Sequence, residues 1–152
     1  MYSTTRKVEL VAIEKTVEKN EALLNKTEIR DSVLQTINYY KEIGFNPPWI
    51  GYCVKKDGII VGMAGFKGKP IHGKVEIAYT TNKPFRRKGI GTEICQLMVQ
   101  LSQKTNPEII ITARTLAEKN FSTRILEKNG FEFQGVVNDE DDGEVWEWSI
   151  FH

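Results

Sequence analysis

The sequence predicts an α/β (α+β) domain built on a mixed, mostly antiparallel sheet flanked by helices. Three observations carry this reading. The 152 residues are 40% hydrophobic and 27% charged, which suits one globular domain over residues 1–152 with a core that needs no metal or disulfide support. Asp57-Gly58 separates two β-prone runs, a hairpin signal that implies antiparallel pairing. Further along, strand-like and helix-like periods alternate, and strand–helix–strand crossovers place some neighbours parallel.

The elements follow in order. Residues 8–13 are β-prone. Residues 17–24 and 27–43 read as helices, the second with Ile29, Val33, Ile37 and Tyr40 at helical spacing and with Thr27 as its start. Asn46-Pro47-Pro48 stops it, because proline lacks an amide proton and fixes its own φ. Residues 49–54 and 59–66 form the Asp-Gly hairpin, residues 67–73 a Gly/Lys/Pro loop, and residues 75–81 the next strand. From 89 to 103 a helix carries Ile90, Ile94, Leu97, Met98 and Leu101 as an apolar stripe. Residues 109–113 are a buried-type strand. Residues 120–128 are a helix closed by Asn129-Gly130. A last hairpin pairs 131–137 with 145–151. The order is β-α-α-β-β-β-α-β-α-β-β.

Several functions are disfavoured at once. With 21 basic and 20 acidic residues the formal charge is +1, which gives no global field for nucleic acid or an anionic membrane. No apolar run approaches the roughly 20 residues of a membrane span. Residues 1–6 are polar and lead into no signal core, and Cys53 and Cys95 form no Cys-x-x-Cys pair. A reducing cytoplasm is the expected location. His72 and His152 are the only two histidines, too few for a His/Cys zinc site, so no metal is expected. No Gly-x-Ser-x-Gly turn is present. Cys53, Cys95, Trp146 and Trp148 read as packing residues, and His72 as a surface residue.

The stretch that carries chemistry is Arg86-Arg87-Lys88-Gly89-Ile90-Gly91-Thr92, between a strand and an amphipathic helix. Amides at a helix N-terminus lack intrahelical partners and sit at the positive end of the dipole, so they receive phosphate when a ligand can reach the backbone. Gly89 and Gly91 are expected to keep that approach open, Arg86, Arg87 and Lys88 to add charge, and Thr92 a hydroxyl. The third glycine of a dinucleotide fingerprint is Ile94 here, and no Gly-Lys-Ser/Thr follows for a P-loop. No aromatic lies among these basic residues to stack a nucleic-acid base.

Arg86-x-x-Gly89-x-Gly91, placed after a strand and before a helix, resembles the pyrophosphate-binding signature of the GNAT N-acetyltransferases. Asn120 to Phe131, ending Leu126-Glu127-Lys128-Asn129-Gly130-Phe131, is similar to a second segment of that family. Together with Gly91-Thr92-Glu93 it is most similar to the branch that includes ribosomal-protein N-terminal acetyltransferases. The resemblance covers nearly the whole chain and implies a GNAT fold. It implies that acetyl-CoA lies in a V-shaped cleft between strands 75–81 and 109–113. Its pantetheine arm would run along the backbone of Tyr79, Thr80 and Thr81, and its pyrophosphate would lie on the amides of Arg87 to Thr92. Asn120 and Ser122 would face it from the next helix. The implied acceptor is a small-molecule amine or a peptide or protein N-terminus, with no nucleic acid or membrane partner, and the chain a monomer or homodimer.

Glu76 stands in an otherwise apolar strand, where burial favours a proton-accepting carboxyl; equally, Lys or Arg can neutralise such a glutamate. It matches the strand position of a catalytic glutamate in several family members. The family tyrosine that acts as general acid corresponds to Leu126, with Tyr79 or Tyr52 as substitutes. The family's Asn-x-x-Ser spacing fits Lys119 with Ser122, or Asn120 with Thr123. The acids between 139 and 147 read as a solvated turn or as an attractor for a cationic amine. The alternative to an enzyme is a non-catalytic CoA-binding module of the same fold.

Overall fold

The computed structural model describes residues 8–150; the expectations for residues 1–6, Phe151 and His152 lie outside the described residues. The strands are β1 (Glu9–Ala12), β2 (Gly51–Lys56), β3 (Ile59–Phe66), β4 (Lys74–Thr81), β5 (Ile110–Leu116), β6 (Glu132–Asp139) and β7 (Gly143–Ile150). The helices are α1 (Glu21–Leu24), α2 (Arg30–Ile43), α3 (Ile90–Thr105) and α4 (Phe121–Lys128). The predicted order holds throughout, and the differences lie at boundaries. The segment 17–24 is a 3-10 turn, Glu18–Asn20, followed by the single turn α1. Its polar tip is fastened by Asn20, whose side chain accepts from the Glu14 amide and donates to the Glu14 and Thr16 carbonyls. α2 starts three residues after Thr27, because the Ile29 amide first closes a turn onto the Lys26 carbonyl. Trp49 and Ile50 belong to the turn after Pro48 rather than to β2.

The seven strands form one sheet in the order β1-β2-β3-β4-β5-β7-β6, in which only β4 and β5 run parallel. Asp57 and Gly58 both take positive φ, 52° and 80°, the conformation that lets a two-residue turn follow strand twist. α2 covers one face: the Tyr40 hydroxyl donates to the Ile13 carbonyl and accepts from the Gly51 amide. α3 and α4 cover the other, with Ile94 against Gly62 and Ile125 beside Gly91. The buried residues of α3 are Ile90, Ile94, Cys95, Met98, Val99 and Ser102. Leu97 and Leu101 lie at the margin of that face and are only partly buried.

Candidate functional site

β4 and β5 pair at just three positions, Lys74 with Ile110, Val75 with Ile111 and Glu76 with Thr112. Beyond them β4 stays with β3 as far as Thr81, and β5 stays with β7 as far as Leu116. The two strands therefore part after Glu76 and open a V at their C-terminal ends. The hydrogen bonds at either end of the β3–β4 ladder fix which groups face it. The Lys67 amide donates to the Glu76 carbonyl at 2.9 Å and the Asn82 amide to the Val61 carbonyl at 2.8 Å. By antiparallel alternation, the main-chain groups of Glu76, Ala78 and Thr80 turn to β3, and those of Ile77, Tyr79 and Thr81 turn to the gap. The Thr81 carbonyl accepts from Arg86 Nε at 2.9 Å. No strand stands opposite Ile77 or Tyr79. Thr80, expected to offer its backbone to a ligand, spends it on β3; its side chain lies on the α2 face.

The basic turn sits at the mouth of this V. Gly89 is the N-cap of α3 in left-handed geometry, φ 78°, and no side chain caps the helix. The first-turn amides are thus left for a ligand. Arg87 is also held at φ 66°, an uncommon conformation for a residue with a Cβ, of the kind that clusters at ligand-holding turns and costs roughly 1–3 kcal/mol. A Cβ at Gly89 would meet nothing within 4 Å, whereas one at Gly91 would lie 2.7 Å from Ile125 Cδ1. Only Gly89 therefore leaves space on the solvent side. At Gly91 the missing Cβ also lets α4 approach α3. Ile90 is buried and offers only its amide, Lys88 is exposed, and Thr92 is half-buried. Glu93, the acid of the first turn, is paired with Lys56 at 3.4 Å. The arrangement fits an anionic group: free amides, a dipole end, and cations whose charge is not cancelled locally.

α4 resolves the two frames of the Asn-x-x-Ser segment. Asn120 Oδ1 accepts from the Thr123 amide at 3.1 Å, and the Asn120 amide donates to Thr123 Oγ1 at 3.0 Å, a capping box. Asn120 is thus committed to starting the helix, and its partner is the buried Thr123. Ser122 is exposed on the first turn. The sequence signal for this, Asn-x-x-Thr, lacks the Glu or Gln of the usual box. Leu126 is 1% exposed and belongs to the core. Neither proposed substitute reaches the V as an acid. Tyr52 donates to the Pro48 carbonyl at 2.6 Å, and burial pushes its hydroxyl up to about 12. Burial also raises the Tyr79 hydroxyl, beside Cys95 of α3. Burial pushes both thiols, Cys53 and Cys95, up to about 11, so both remain packing residues.

On the α2 face the charges form one network that the sequence did not reveal. Glu76 Oε2 is 2.8 Å from Lys67 Nζ, and Glu76 Oε1 is 3.9 Å from Arg114 Nε. Arg114 also holds Asp139 at 2.8 Å and Glu147 at 3.4 Å. Burial is the largest single influence on Lys67 and works against its charged form, but the hydrogen bond to Glu76 together with the charges of Glu76 and Asp139 outweighs it and holds the ammonium above its ordinary value. The hydrogen bond to Asp139 likewise raises Arg114 despite partial burial. Asp139 is held below the usual carboxylate value, first by Arg114 and then by the amides of Asp141 and Asp142. Beside this network, a cavity of about 430 Å³ extends from α2 to β4, with Thr36, Tyr39, Met63, Ala78, Thr80 and Asp141 in its wall. Glu76 is thus ion-paired, and its nearest partner, Lys67, lines that cavity. The acids of the last hairpin divide likewise: Asp139 and Glu147 belong to the network, and Asp141 reaches the cavity.

The acetyltransferase (GNAT) domain profile matches residues 5–132. The chain is 38% identical over 107 residues to the uncharacterized N-acetyltransferase YjdG of Bacillus subtilis (strain 168), a match over 64% of this chain and 62% of that protein. The chain thus spans about 62% of the length of the curated relative it matches. Among solved structures it is similar to RimL, a ribosomal L7/L12 alpha-N-protein acetyltransferase in complex with coenzyme A, with a TM-score of 0.68 at 19% identity over 98% of this chain and 95% of that one. It is also similar to AAC(6')-Ib in complex with ribostamycin and coenzyme A, with a TM-score of 0.69 at 21% identity over 96% and 94% of the two chains. At these identities the likeness is one of fold.

Proposed function

The chain belongs to the GNAT acetyltransferase family, and we propose that it is an enzyme that transfers an acetyl group from acetyl-CoA to a primary amine. The observation that carries this is the parting of β4 from β5 after Glu76 beside the uncapped N-terminus of α3. An extended pantetheine arm fits as a missing strand along Ile77 and Tyr79. A pyrophosphate fits on the amides of Gly89, Ile90, Gly91 and Thr92, with Arg86, Arg87 and Lys88 around it. Acetyl-CoA supplies the activated acyl group. The Tyr79 amide, turned into the gap, is the donor available to the thioester oxygen as it gains charge.

The acceptor enters from the α2 face. A lysine-like amine has a free pKa near ~10.4, so at neutral pH about one molecule in a thousand is uncharged. It therefore arrives as a cation and competes with Lys67 for Glu76. Glu76 takes one proton from the ammonium, the freed amine attacks the thioester carbon, and the C–S bond breaks as the thiolate departs, with the second nitrogen proton passing to the released thiolate or to solvent. A leaving thiol with a pKa of about 8.5 does not require a protein acid, in keeping with the burial of Leu126. The acceptor is a small-molecule amine or a peptide or protein N-terminus, and the 152 residues act as one domain, as a monomer or homodimer in the cytoplasm. Among the described residues no helix is long and apolar enough to cross a membrane.

The test is incubation with acetyl-CoA and a panel of peptide N-termini, polyamines, amino acids and aminoglycosides, with thiol release followed and products weighed by mass spectrometry. Acetylation of at least one class is expected. Acetyl-CoA binding with no turnover across the panel would support the non-catalytic module, and failure to bind would sink both.

A further inference from the structure

The far side of α4 holds a cavity that takes no part in the cleft. Ile125 packs beside Gly91 of α3. Thr123 and Glu127, two residues to either side of it, point the other way on a helix of about 3.6 residues per turn. They line a cavity of about 660 Å³ between α4 and the β6–β7 hairpin. Its inner wall is aromatic. Phe133 meets Trp146 at 5.3 Å and 69°, and Trp148 at 5.6 Å and 68°; the two indoles are 6.4 Å and 55° apart. Rings set at such angles meet edge to face, so they do not cover one another as a stack would. Trp148 is the fixed back wall, 5% exposed, with its Nε1 donating to Thr115 Oγ1 at 3.0 Å. Phe133 is 50% exposed and Trp146 only partly buried. Glu127, Glu132 and Lys119 complete the wall. Among the described residues none of the three has an opposite charge within 4.0 Å. The wall thus carries two carboxylates to one ammonium.

We infer that this cavity binds a small organic cation with a methylated ammonium head. Phe133 and Trp146 take the head against their rings, and Glu127 and Glu132 supply the balancing charge. Two physical arguments select the occupant. A net negative wall and the negative faces of aromatic rings favour a cation over a neutral group of the same shape. A primary ammonium brings three N–H donors that aromatic walls cannot satisfy, whereas a methylated head has apolar surface to bury against the rings and few or no donors to lose. Glu76 and its partners lie on the other face of the sheet, so an occupant here does not compete with an acceptor amine. The site stands independently of the acetyl-CoA reading.

The experiment titrates the full chain with choline, with ethanolamine and with the neutral isostere of choline in which a tert-butyl group replaces trimethylammonium. Binding is followed by the ring-current shift of the ligand protons in NMR. Choline should bind about fivefold or more tighter than the isostere, the worth of a cation over two rings, and tighter than ethanolamine. Phe133→Leu should lower choline affinity by about two- to fivefold and the isostere's by less, because leucine refills much of the apolar volume. Glu127→Gln combined with Glu132→Gln changes only exposed side chains. It should weaken choline by about threefold or more at low salt and leave the isostere unchanged. Equal affinity for choline and the isostere would make the patch merely apolar and overturns the inference. So does ethanolamine that binds as tightly as choline, or no saturable shift with any of the three. Choline binding that is indifferent to these substitutions places the cation elsewhere and overturns it equally.

Discussion

The two halves of the cleft are made of different material. The half proposed for the donor is main chain: amides of the α3 N-terminus, the unpaired edge of β4 at Ile77 and Tyr79, and a left-handed glycine. The half proposed for the acceptor is side chain: Lys67, Glu76, Arg114, Asp139 and Glu147, gathered from four strands and a loop. A main-chain site holds what every acyl-CoA shares, because backbone geometry changes little when side chains do. A side-chain site can differ from one relative to another while the sheet stays the same.

The sharpest way to break the comparison is at Glu76, the point where the halves meet. Glu76→Gln keeps the size of the side chain and loses the proton acceptor. Turnover should fall by ~10²-fold or more, the range for a lost general base, while acetyl-CoA affinity, a property of the donor half, stays within about twofold. Steady-state kinetics paired with calorimetry separates the two. Unchanged kcat would make Glu76 a structural partner of Lys67 and nothing more.

The next effect tests the main-chain half against itself. A Cβ at Gly62 would overlap the Thr80 carbonyl oxygen, backbone that cannot yield, whereas one at Gly91 would press on the far end of Ile125. Gly62→Ala should therefore cost about 1–3 kcal/mol, the range for overpacking, and displace β4. Gly91→Ala should cost less, because Ile125 can change rotamer. Denaturant unfolding of both variants checks the order, and the reverse order would mean that the β3–β4 contact is softer than its geometry.

The same division decides what could be read in the sequence. Main-chain requirements leave local marks: Asp57-Gly58 for a tight hairpin, Gly89 for a left-handed cap, Pro47-Pro48 for a stop. The order of all eleven elements was legible from such marks and from apolar periodicity. The parting of β4 and β5 was visible only through the family resemblance, since both segments read as continuous strands and pairing is a relation between them. The network was illegible for a related reason. Lys67 lies 9 residues before Glu76 and Arg114 lies 38 after it, and no spacing rule joins a loop to two strands. Thr123 was half legible: Asn-x-x-Thr resembles a cap, but without Glu or Gln it competes with the Asn-x-x-Ser reading. Gly91 was noticed for its place in the turn, while its close approach to Ile125 of α4 left no mark in the sequence.

A smaller effect probes the side-chain half. Arg114 touches three carboxylates, so Arg114→Ala leaves Glu76, Asp139 and Glu147 without the cation that gathers them. Its side chain is 30% exposed, so the loss should be roughly 0.5–1 kcal/mol, the upper part of the range for solvent-screened pairs. It should appear as a rise of a few-fold in KM for the amine with little change in kcat. Arg114→Lys restores the charge but not the fork that reaches several acids, and should recover part of the effect. A fall confined to kcat would place Arg114 in the chemistry rather than in positioning.

The smallest effect is a titration at the tip of the last hairpin. Arg114 and the amides of Asp141 and Asp142 all favour the ionised form of Asp139, which lowers its folded-state value. A carboxyl depressed on folding contributes stability above its unfolded value of about 3.9 and loses it as pH falls through the lower folded value. The tip should therefore hold unchanged from neutrality to about pH 4, then loosen as Asp139 protonates and releases Arg114 and both amides. Hydrogen exchange at Asp141 and Asp142, corrected for the intrinsic pH dependence, should show constant protection above that point and declining protection below it. Asp139→Asn should abolish the transition, because it has no charge to lose. Protection that declines alike in Asp139→Asn would assign the loosening to the general charge of the acidic tip, and the hairpin would then depend on Arg114 for placement but not for closure.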